Sequence, residues 1–279
     1  MAAAAAPATL ALHHDAARAA VPVTSIATCW LRAQQSSKPP ELQLISDPFA
    51  QRLCGEDPDL GWMESSPHPQ AFWVDMMALR TRWLDDALVD VLGTTGAVLS
   101  QVVVLGAGLD ARPWRLEALR GVAVFEVDFP EVLEAKGMLL EGCEPIATLQ
   151  AVRANLAVDD WAAKLADAGF SRDKASAWLL EGLIGYLTSE ELQELFKRIG
   201  GLAAPGSALL ATFTGEGSGR TTSMHRSMWA SAPHVERFLS ESGWEGQAST
   251  YMEVATRYGR TAHIPPESDW QYFLATARR

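Results

Sequence analysis

Cysteine, basic residues and long apolar runs are all scarce in this sequence of 279 residues. The three cysteines, Cys29, Cys54 and Cys143, are widely separated and form no C-x-x-C pair, so the sequence indicates neither a disulfide framework nor a metal site. The 23 basic residues against 34 acidic ones give a formal net charge of −11, which disfavours nucleic acid and anionic membranes as partners. No uncharged apolar run reaches about 18 residues, the length of a membrane-spanning helix. We therefore expect a reduced, cytoplasmic protein, whose oligomeric state the sequence leaves open.

The first 22 residues are dominated by alanine. We interpret them as a flexible tail, with an organelle-targeting peptide as the alternative. Residues 23–279 are predicted to form a single domain, because a hydrophobic content of 48% over this length is enough for one large core.

Short apolar runs alternate with helical patterns from residue 101 onward. They lie at residues 101–105, 122–128, 148–155, 176–181 and 207–214. Runs of this length and composition are typical of buried, parallel strands. The pattern predicts a doubly wound α/β core with a mostly parallel sheet at residues 98–279, preceded by a helical cap at 23–97. A lid insertion is expected after the fifth strand, at about 215–235.

Polar residues or glycines follow four of these runs. The residues concerned are Gly106, Ala107 and Gly108 with Asp110, then Asp128, Asn155 and Glu181. In open α/β sheets, ligands bind beyond the carboxyl ends of the strands. Strands that simply end in polar loops would explain any one of these residues, but all four ends together favour a polar ligand site.

The turn after the first run fits G-x-G-x-x-G/A with Gly106, Gly108 and Ala111, so a dinucleotide and S-adenosylmethionine are both candidate ligands. Asp128, 22 residues after Gly106, could bind ribose hydroxyls in either ligand. Asp110 separates the two, because its carboxylate would repel a pyrophosphate at the start of the next helix. S-adenosylmethionine has no phosphate and carries an ammonium and a sulfonium. The turn therefore favours S-adenosylmethionine.

A helical stripe before the first strand contains one arginine among apolar residues: Trp73, Met77, Arg80, Leu84 and Leu88. A buried guanidinium needs an anionic partner. The carboxylate of an amino-acid-like cofactor and an internal Asp or Glu are equally good candidates. Arg82 lies on another face with Asp75 and Asp86, so we interpret it as a solvated ion-pairing residue.

Several ordered motifs together resemble the leucine carboxyl methyltransferase and polyketide O-methyltransferase-like family. They are TSIATCWLRAQ, ISDPFAQRL, ALRTRWLDDAL, VVVLGAGLDARPWRL, VFEVDFPEVLEAK, ANLAVDDW and LLEGLIGYL. The similarity extends from about Thr24 to the last residues. It implies a class I methyltransferase, Rossmann-like fold and S-adenosylmethionine as the cofactor.

The resemblance also implies roles for individual residues. Arg80 would hold the cofactor carboxylate, and Glu181 would lie near the methionine end. Close backbone approach beside Asp110 would be allowed by Gly106, Ala107 and Gly108. Asp128 would bind the ribose, and the adenine would contact Asn155 and Leu156. The family usually has Asp-Leu where this chain has Asn155-Leu156. An amide oxygen still accepts hydrogen bonds, so we expect weaker cofactor binding rather than none.

Methyl transfer from a sulfonium requires alignment and exclusion of water, but no nucleophilic serine or cysteine. A carboxylate acceptor needs no base, whereas a hydroxyl acceptor does. Tyr186 and His225 are the candidate catalytic residues, and structural roles are alternatives for both. His68 and His234 are the other histidines considered as a base, again with structural roles as the alternative. Tryptophans that could roof the site are Trp73, Trp83 and Trp229.

The sequence therefore predicts an O-methyltransferase acting on a carboxylate or hydroxyl of a small metabolite. One alternative is methylation of a protein C-terminal carboxylate. A second is an NAD(P)-dependent oxidoreductase, although no recognisable Tyr-x-x-x-Lys pair is present. A third is a noncatalytic family member that binds the cofactor. This alternative stays open because Asn155 stands where the family usually has aspartate.

Overall fold

A seven-stranded sheet organises the protein in a computed structural model, which describes residues 7–61, 66, 68–93, 99–215, 228–260 and 271–279. The strands are β1 (Gln101–Leu105), β2 (Ala123–Asp128), β3 (Thr148–Arg153), β4 (Ser176–Leu180), β5 (Ala208–Thr214), β6 (Glu245–Thr250) and β7 (Tyr272–Arg278). Their order is β3-β2-β1-β4-β5-β7-β6. Strands β1 to β5 are parallel, and β7 runs antiparallel between β5 and β6. The doubly wound, mostly parallel sheet is confirmed.

Helices cover both faces of the sheet. They are α1 (Pro7–Ala19), α2 (Val23–Ser36), α3 (Ala50–Cys54), α4 (Gln70–Gly93), α5 (Arg112–Arg115), α6 (Pro130–Leu139), α7 (Trp161–Asp167), α8 (Ser189–Leu202), α9 (Ala232–Glu241) and α10 (Tyr251–Arg257). Every residue of β1 is buried, and alternate side chains enter different layers. Val102 and Val104 pack with α4 and α10, whereas Val103 and Leu105 pack with α7, α8 and α9. The continuous apolar runs in the sequence reflect this burial on both faces.

The apolar stripe predicted in α4 is buried as expected, including its arginine. Helix α8 begins at a capping box formed by Thr188 and Glu191. The Thr188 side chain accepts from the Glu191 N–H at 3.2 Å, and the Glu191 carboxylate accepts from the Thr188 N–H at 2.8 Å. The apolar faces of α4 and α8 pack into different clusters of the core.

The alanine-rich start, expected to be a flexible tail, contains the helix α1 from Pro7 to Ala19. Alanine has the highest helix propensity, which explains the helix locally. Arg18 then attaches it to α3, since its guanidinium donates to the carbonyls of Leu53 at 3.2 Å and Arg52 at 2.8 Å. Tertiary hydrogen bonds at α3 could not be read from the composition of the segment.

The expected lid at about 215–235 falls partly on residues 216–227, which lie outside the described residues. On either side, Gly215 pairs with Trp229 and α9 begins at Ala232. The lid therefore stays a prediction. Among the described helices, none combines the length and hydropathy needed to cross a membrane.

Candidate functional site

A cavity of about 390 Å³ lies at the carboxyl ends of β1, β4 and β5, beneath α2 and α4. Its volume is within the usual range for small-molecule sites. Seven of the predicted cofactor-binding and catalytic residues line it: Arg80, Gly106, Ala107, Gly108, Asp110, Glu181 and Tyr186. The sheet topology thus gathers residues separated by a hundred positions in the chain at one edge.

The turn after β1 requires its two glycines. Gly106 and Gly108 have φ angles of +68° and +46°, in the left-handed region that other residues rarely adopt. A Cβ at Gly108 would lie 3.1 Å from the Ser25 hydroxyl. The N–H groups of Gly106 and Ala107 both donate to the Val127 carbonyl, at 2.9 and 3.3 Å. The backbone therefore turns tightly across the end of β2 and leaves room above it.

Asp128, at the end of β2, is held by two backbone donors. Its Oδ2 accepts from the Gly108 N–H and its Oδ1 from the Phe129 N–H, both at 2.7 Å. Burial raises the pKa of Asp128, and these N–H groups oppose the rise. The residue lies beside the turn but does not line the cavity.

Asn155 and Leu156 also lie outside the cavity lining. The Asn155 amide oxygen accepts from the Ala157 N–H at 2.9 Å, and the Asn155 N–H donates to Asp159 at 3.0 Å. The oxygen expected to meet an adenine amino group therefore already accepts one local hydrogen bond. One lone pair remains for a ligand.

Arg80 is only 8% exposed and has an internal carboxylate as its partner. Its Nε lies 2.7 Å from Glu181 Oε1, and its Nη1 donates to the Tyr272 hydroxyl at 3.4 Å. Of the two partners considered from the sequence, the structure contains the internal acid. Arg80 also lines the cavity, so its predicted contact with a cofactor carboxylate stays a prediction.

Arg112 is the central cation of the site, and it was not predicted from the sequence. Its side chain is 2% exposed and contacts three carboxylates. Nε donates to Asp85 at 2.6 Å, and Nη1 donates to both Asp110 and Glu181 at 2.7 Å. The only signal was the placement of Arg112 and Arg115 in the otherwise apolar stretch ARPWRL.

Two further pairs extend this network beneath the cavity. Arg32 donates to Asp47 at 2.9 Å and to the Leu109 carbonyl at 2.7 Å. Arg115 forms a bidentate pair with Asp85, at 2.6 and 3.0 Å. The network contains Arg32, Arg80, Arg112, Arg115, Asp47, Asp85, Asp110 and Glu181, so its formal charges cancel. A buried array of this kind avoids the cost of an unpaired charge.

The arginines keep the two carboxylates that line the cavity ionised. Burial would raise the pKa of Glu181, but Arg112 and Arg80 outweigh it and lower the pKa to about 2. Burial likewise opposes ionisation of Asp110, whereas Arg112 and Lys136 hold its pKa well below its usual range. The cavity lining therefore contains two ionised carboxylates, Asp110 and Glu181, together with Arg32, Arg80, Arg112 and Arg115.

The candidate catalytic residues have different outcomes. Tyr186 lines the cavity from a short 3₁₀ helix, Ile184–Tyr186. His225 lies outside the described residues. His234 packs on Trp229, with ring centroids 4.9 Å apart, and does not line the cavity.

His68 does not line the cavity either. It packs on Phe72 at 4.4 Å, and burial lowers its pKa. Among the tryptophans proposed as a roof, only Trp73 contributes to the lining; Trp83 and Trp229 are buried in the core.

The chain is similar to a described family and to bacterial relatives. The model for "Leucine carboxyl methyltransferase" matches residues 25–200. A protein of Mycolicibacterium vanbaalenii described as a putative S-adenosyl-L-methionine-dependent methyltransferase is 35% identical over 271 residues, covering 85% of this chain and 86% of the relative. A protein of Rhodococcus jostii with the same description is 34% identical over 272 residues, covering 88% and 90%.

Two solved structures share the fold. A duf574 family protein from Streptomyces avermitilis aligns with a TM-score of 0.61 at 15% identity, covering 90% of this chain and 96% of that one. A putative methyltransferase from Thermobifida fusca aligns with a TM-score of 0.58 at 19% identity, covering 83% and 92%. The class I methyltransferase fold that the motifs implied is confirmed.

Proposed function

The chain belongs to the leucine carboxyl methyltransferase family, and from that premise we propose that it methylates an oxygen of a small metabolite, on a carboxylate or a hydroxyl group. The chain is an S-adenosylmethionine-dependent methyltransferase. The observation that carries the proposal is the cavity in which Arg80 lies beside two ionised carboxylates at the carboxyl edge of the sheet. This combination suits a ligand that has a carboxylate and positive charge at the same end.

The residues present fit S-adenosylmethionine, which supplies an electrophilic methyl group when bound. Arg80 would bind its carboxylate, and Asp110 with Glu181 would face its ammonium. The left-handed glycines leave space for close backbone approach in the turn after β1. Asp128, which is already oriented by two N–H groups, keeps lone pairs for ribose hydroxyls. Asn155 and Leu156 remain our candidates for the adenine contact.

The acceptor side of the cavity is apolar. It is lined by Val23, Leu31, Trp73, Met76 and Met77. Such a wall excludes water and orients a hydrophobic acceptor, which are the two requirements of in-line methyl transfer. A carboxylate acceptor is already ionised at neutral pH and needs no base. A hydroxyl acceptor would need one, for which Tyr186 and His225 are the candidates.

The oxidoreductase alternative has less support in this geometry. The helix after the glycine turn, α5, has four residues, so few aligned peptide dipoles are available to bind a pyrophosphate. Asp110 stands at that point as an ionised carboxylate paired with Arg112. Phosphate groups would meet this negative charge directly.

Calorimetric titration of the purified protein with S-adenosylhomocysteine, NADH and NADPH tests the cofactor assignment. We expect micromolar binding of the first and no binding of the nucleotides. Binding of a nicotinamide nucleotide in place of S-adenosylhomocysteine would overturn the proposal.

Transfer of a labelled methyl group to matched acceptors tests which class of acceptor is methylated. The panel pairs aromatic carboxylic acids with the corresponding phenols and alcohols, and a peptide with a free C-terminal carboxylate with its amide. We expect methyl esters or ethers of small acceptors. Transfer only to the free peptide would instead support the protein-methylating alternative. Tight cofactor binding without transfer to any acceptor would support a noncatalytic member.

A further inference from the structure

We propose that Arg112 is a positioning residue that holds Asp110 and Glu181 ionised side by side, so that a pair of carboxylates faces the cationic methionine end of the cofactor. The inference rests on the proposed function, because it assumes that the cofactor occupies the cavity. Arg112 acts here through the two acids.

One atom joins the two carboxylates. Arg112 Nη1 lies 2.7 Å from Asp110 Oδ2 and 2.7 Å from Glu181 Oε2. Two acid oxygens that share a donor at these distances are close neighbours. Without a cation between them, such a pair would retain a proton, because like charges disfavour each other's ionisation. Arg112 therefore permits both negative charges at once.

The orientation of this guanidinium is fixed from the other side. Arg112 Nε donates to Asp85 Oδ1 at 2.6 Å, and Arg115 holds the same carboxylate by two bonds. Among the residues that the structure describes, none accepts a hydrogen bond from the buried Arg112 Nη2. An unpaired buried donor costs stability. The bond from Nε to Asp85 therefore orients the guanidinium so that Nη1 reaches both acids.

The surrounding charges cannot replace Arg112. Glu181 also contacts Arg80 from α4 and lies near Arg32 from α2. Asp110 has Arg112 as its ion-pair partner, and Lys136 and Arg115 act on it only through longer-range charge. The acids facing the same network are Asp47, Asp85, Asp110 and Glu181. Removing Arg112 would leave Asp110 beside Glu181 with no direct cationic partner of its own.

This arrangement determines how cofactor affinity should change with pH. Both acids are ionised at neutral pH in the native protein, so their protonation contributes no pH dependence to cofactor affinity between pH 6 and 8. In Arg112→Met, one acid takes up a proton as the pH falls toward 6. A cationic ligand favours the ionised form, so the variant releases that proton on binding and binds less tightly at low pH.

Calorimetry at pH 5.5, 6 and 7, where the α-amino group of the probe stays protonated, tests the proposal with S-adenosylmethionine in buffers of different ionisation enthalpy. For the native protein we expect no proton release from these acids, and its affinity at each pH is the reference for the variants. For Arg112→Met we expect proton release and a loss of about tenfold per pH unit below the raised pKa, because one proton is linked to binding. Arg112→Lys should show a smaller slope, since an ammonium keeps the charge without the planar fork.

Two controls separate positioning from a structural role. Arg52→Met removes a guanidinium that donates to the Leu139 and Glu141 carbonyls, away from both acids, so its affinity should have the same pH dependence as that of the native protein. 5′-Methylthioadenosine lacks the charged amino-acid end, so its affinity should not gain a pH slope in Arg112→Met. Equal slopes in both arginine variants, or in both ligands, would overturn the proposal.

If Arg112→Met does not fold, a second variant tests the role of Arg112. The double variant Arg112→Met with Asp110→Asn removes the like-charge pair and should fold more stably than Arg112→Met, with a flat pH profile. A flat profile in folded Arg112→Met, or a persistent slope in the double variant, would refute the role of Arg112. Absence of S-adenosylmethionine binding by the native protein would refute the proposed function instead.

Discussion

The backbone N–H of Gly108 donates to Asp128 Oδ2 over 2.7 Å and joins the turn after β1 to the end of β2. The second oxygen of Asp128 accepts from the Phe129 N–H at the same distance. Both bonds fix the carboxylate before any ligand arrives. A preoriented acceptor loses little conformational entropy on binding, which increases affinity.

Replacing Asp128 by alanine is expected to weaken S-adenosylhomocysteine binding by about 100-fold, the loss of one or two charge-assisted hydrogen bonds of roughly 1.5–3 kcal/mol each. Isothermal titration measures the change, and circular dichroism verifies folding. Glu131→Ala, in the first turn of α6, is the control and should bind normally. Unchanged affinity in folded Asp128→Ala would remove this residue from the cofactor site.

Replacing Arg80 by methionine is expected to affect both stability and cofactor affinity. Glu181 loses one of its two guanidinium partners, so the free energy of unfolding should fall by about 3 kcal/mol, as for other broken buried pairs. Arg82→Met in the same helix removes an exposed pair with Asp86 and should cost less than about 1 kcal/mol. Urea unfolding and titration are the measurements. Lower stability with native cofactor affinity would show that Arg80 serves the internal acid alone.

The parallel half of the sheet was predictable because burial on both faces leaves a continuous apolar run. The five predicted runs coincide with β1 to β5 to within two residues at their ends. Strands β6 and β7 were not identified. Strand β6, EGQAST, lies at the sheet edge and is half-exposed, so it has no comparable apolar signal.

Some site residues at the strand ends were predictable, because parallel strands bring their carboxyl ends to one edge of the sheet. The glycine turn, Asp110 and Glu181 follow buried strands and meet at one edge. Arg32, Asp47, Asp85 and Arg112 reach the site from helices and loops, and their pairing is set by tertiary packing. A charged residue in a helix has no sequence signal that names a partner 27 or 69 positions away.

Replacing Asn155 by aspartate is expected to tighten cofactor binding several-fold. A carboxylate accepts both the Ala157 N–H and an adenine amino group, and hydrogen bonds to an ionised acceptor are about twice as strong. Titration with S-adenosylhomocysteine measures the gain. Asp159→Asn, which alters the neighbouring acceptor of the Asn155 N–H, is the control for changes in the turn. Equal or weaker affinity in Asn155→Asp would argue against an adenine contact here.

The buried pair of Glu126 and Lys136 predicts a pH dependence of stability. Their charged atoms are 2.7 Å apart, and burial, although opposed by Lys136, raises the pKa of Glu126 to about 7 from 4.5. Because the folded-state pKa is raised, the associated stability is fully present below pH 4.5 and is lost as the pH rises through about 7.

The double variant Glu126→Gln with Lys136→Met should lack this decline, and its stability relative to the native protein should increase between pH 5 and 8. Urea unfolding at several pH values measures the difference. Glu134→Gln with Arg153→Met, an exposed pair, is the control and should change stability by less than about 1 kcal/mol. A constant difference between native protein and the buried-pair variant would contradict the raised pKa.

The position of β7 has a consequence for biosynthesis. It lies between β5 and β6, although the ribosome makes it after both. Among the described strands, β6 pairs with β7 alone, so β6 waits without a sheet partner during translation. Tyr272, the first residue of β7, also supplies the hydroxyl that accepts from Arg80. One wall of the cavity is therefore completed only after this segment has inserted between β5 and β6.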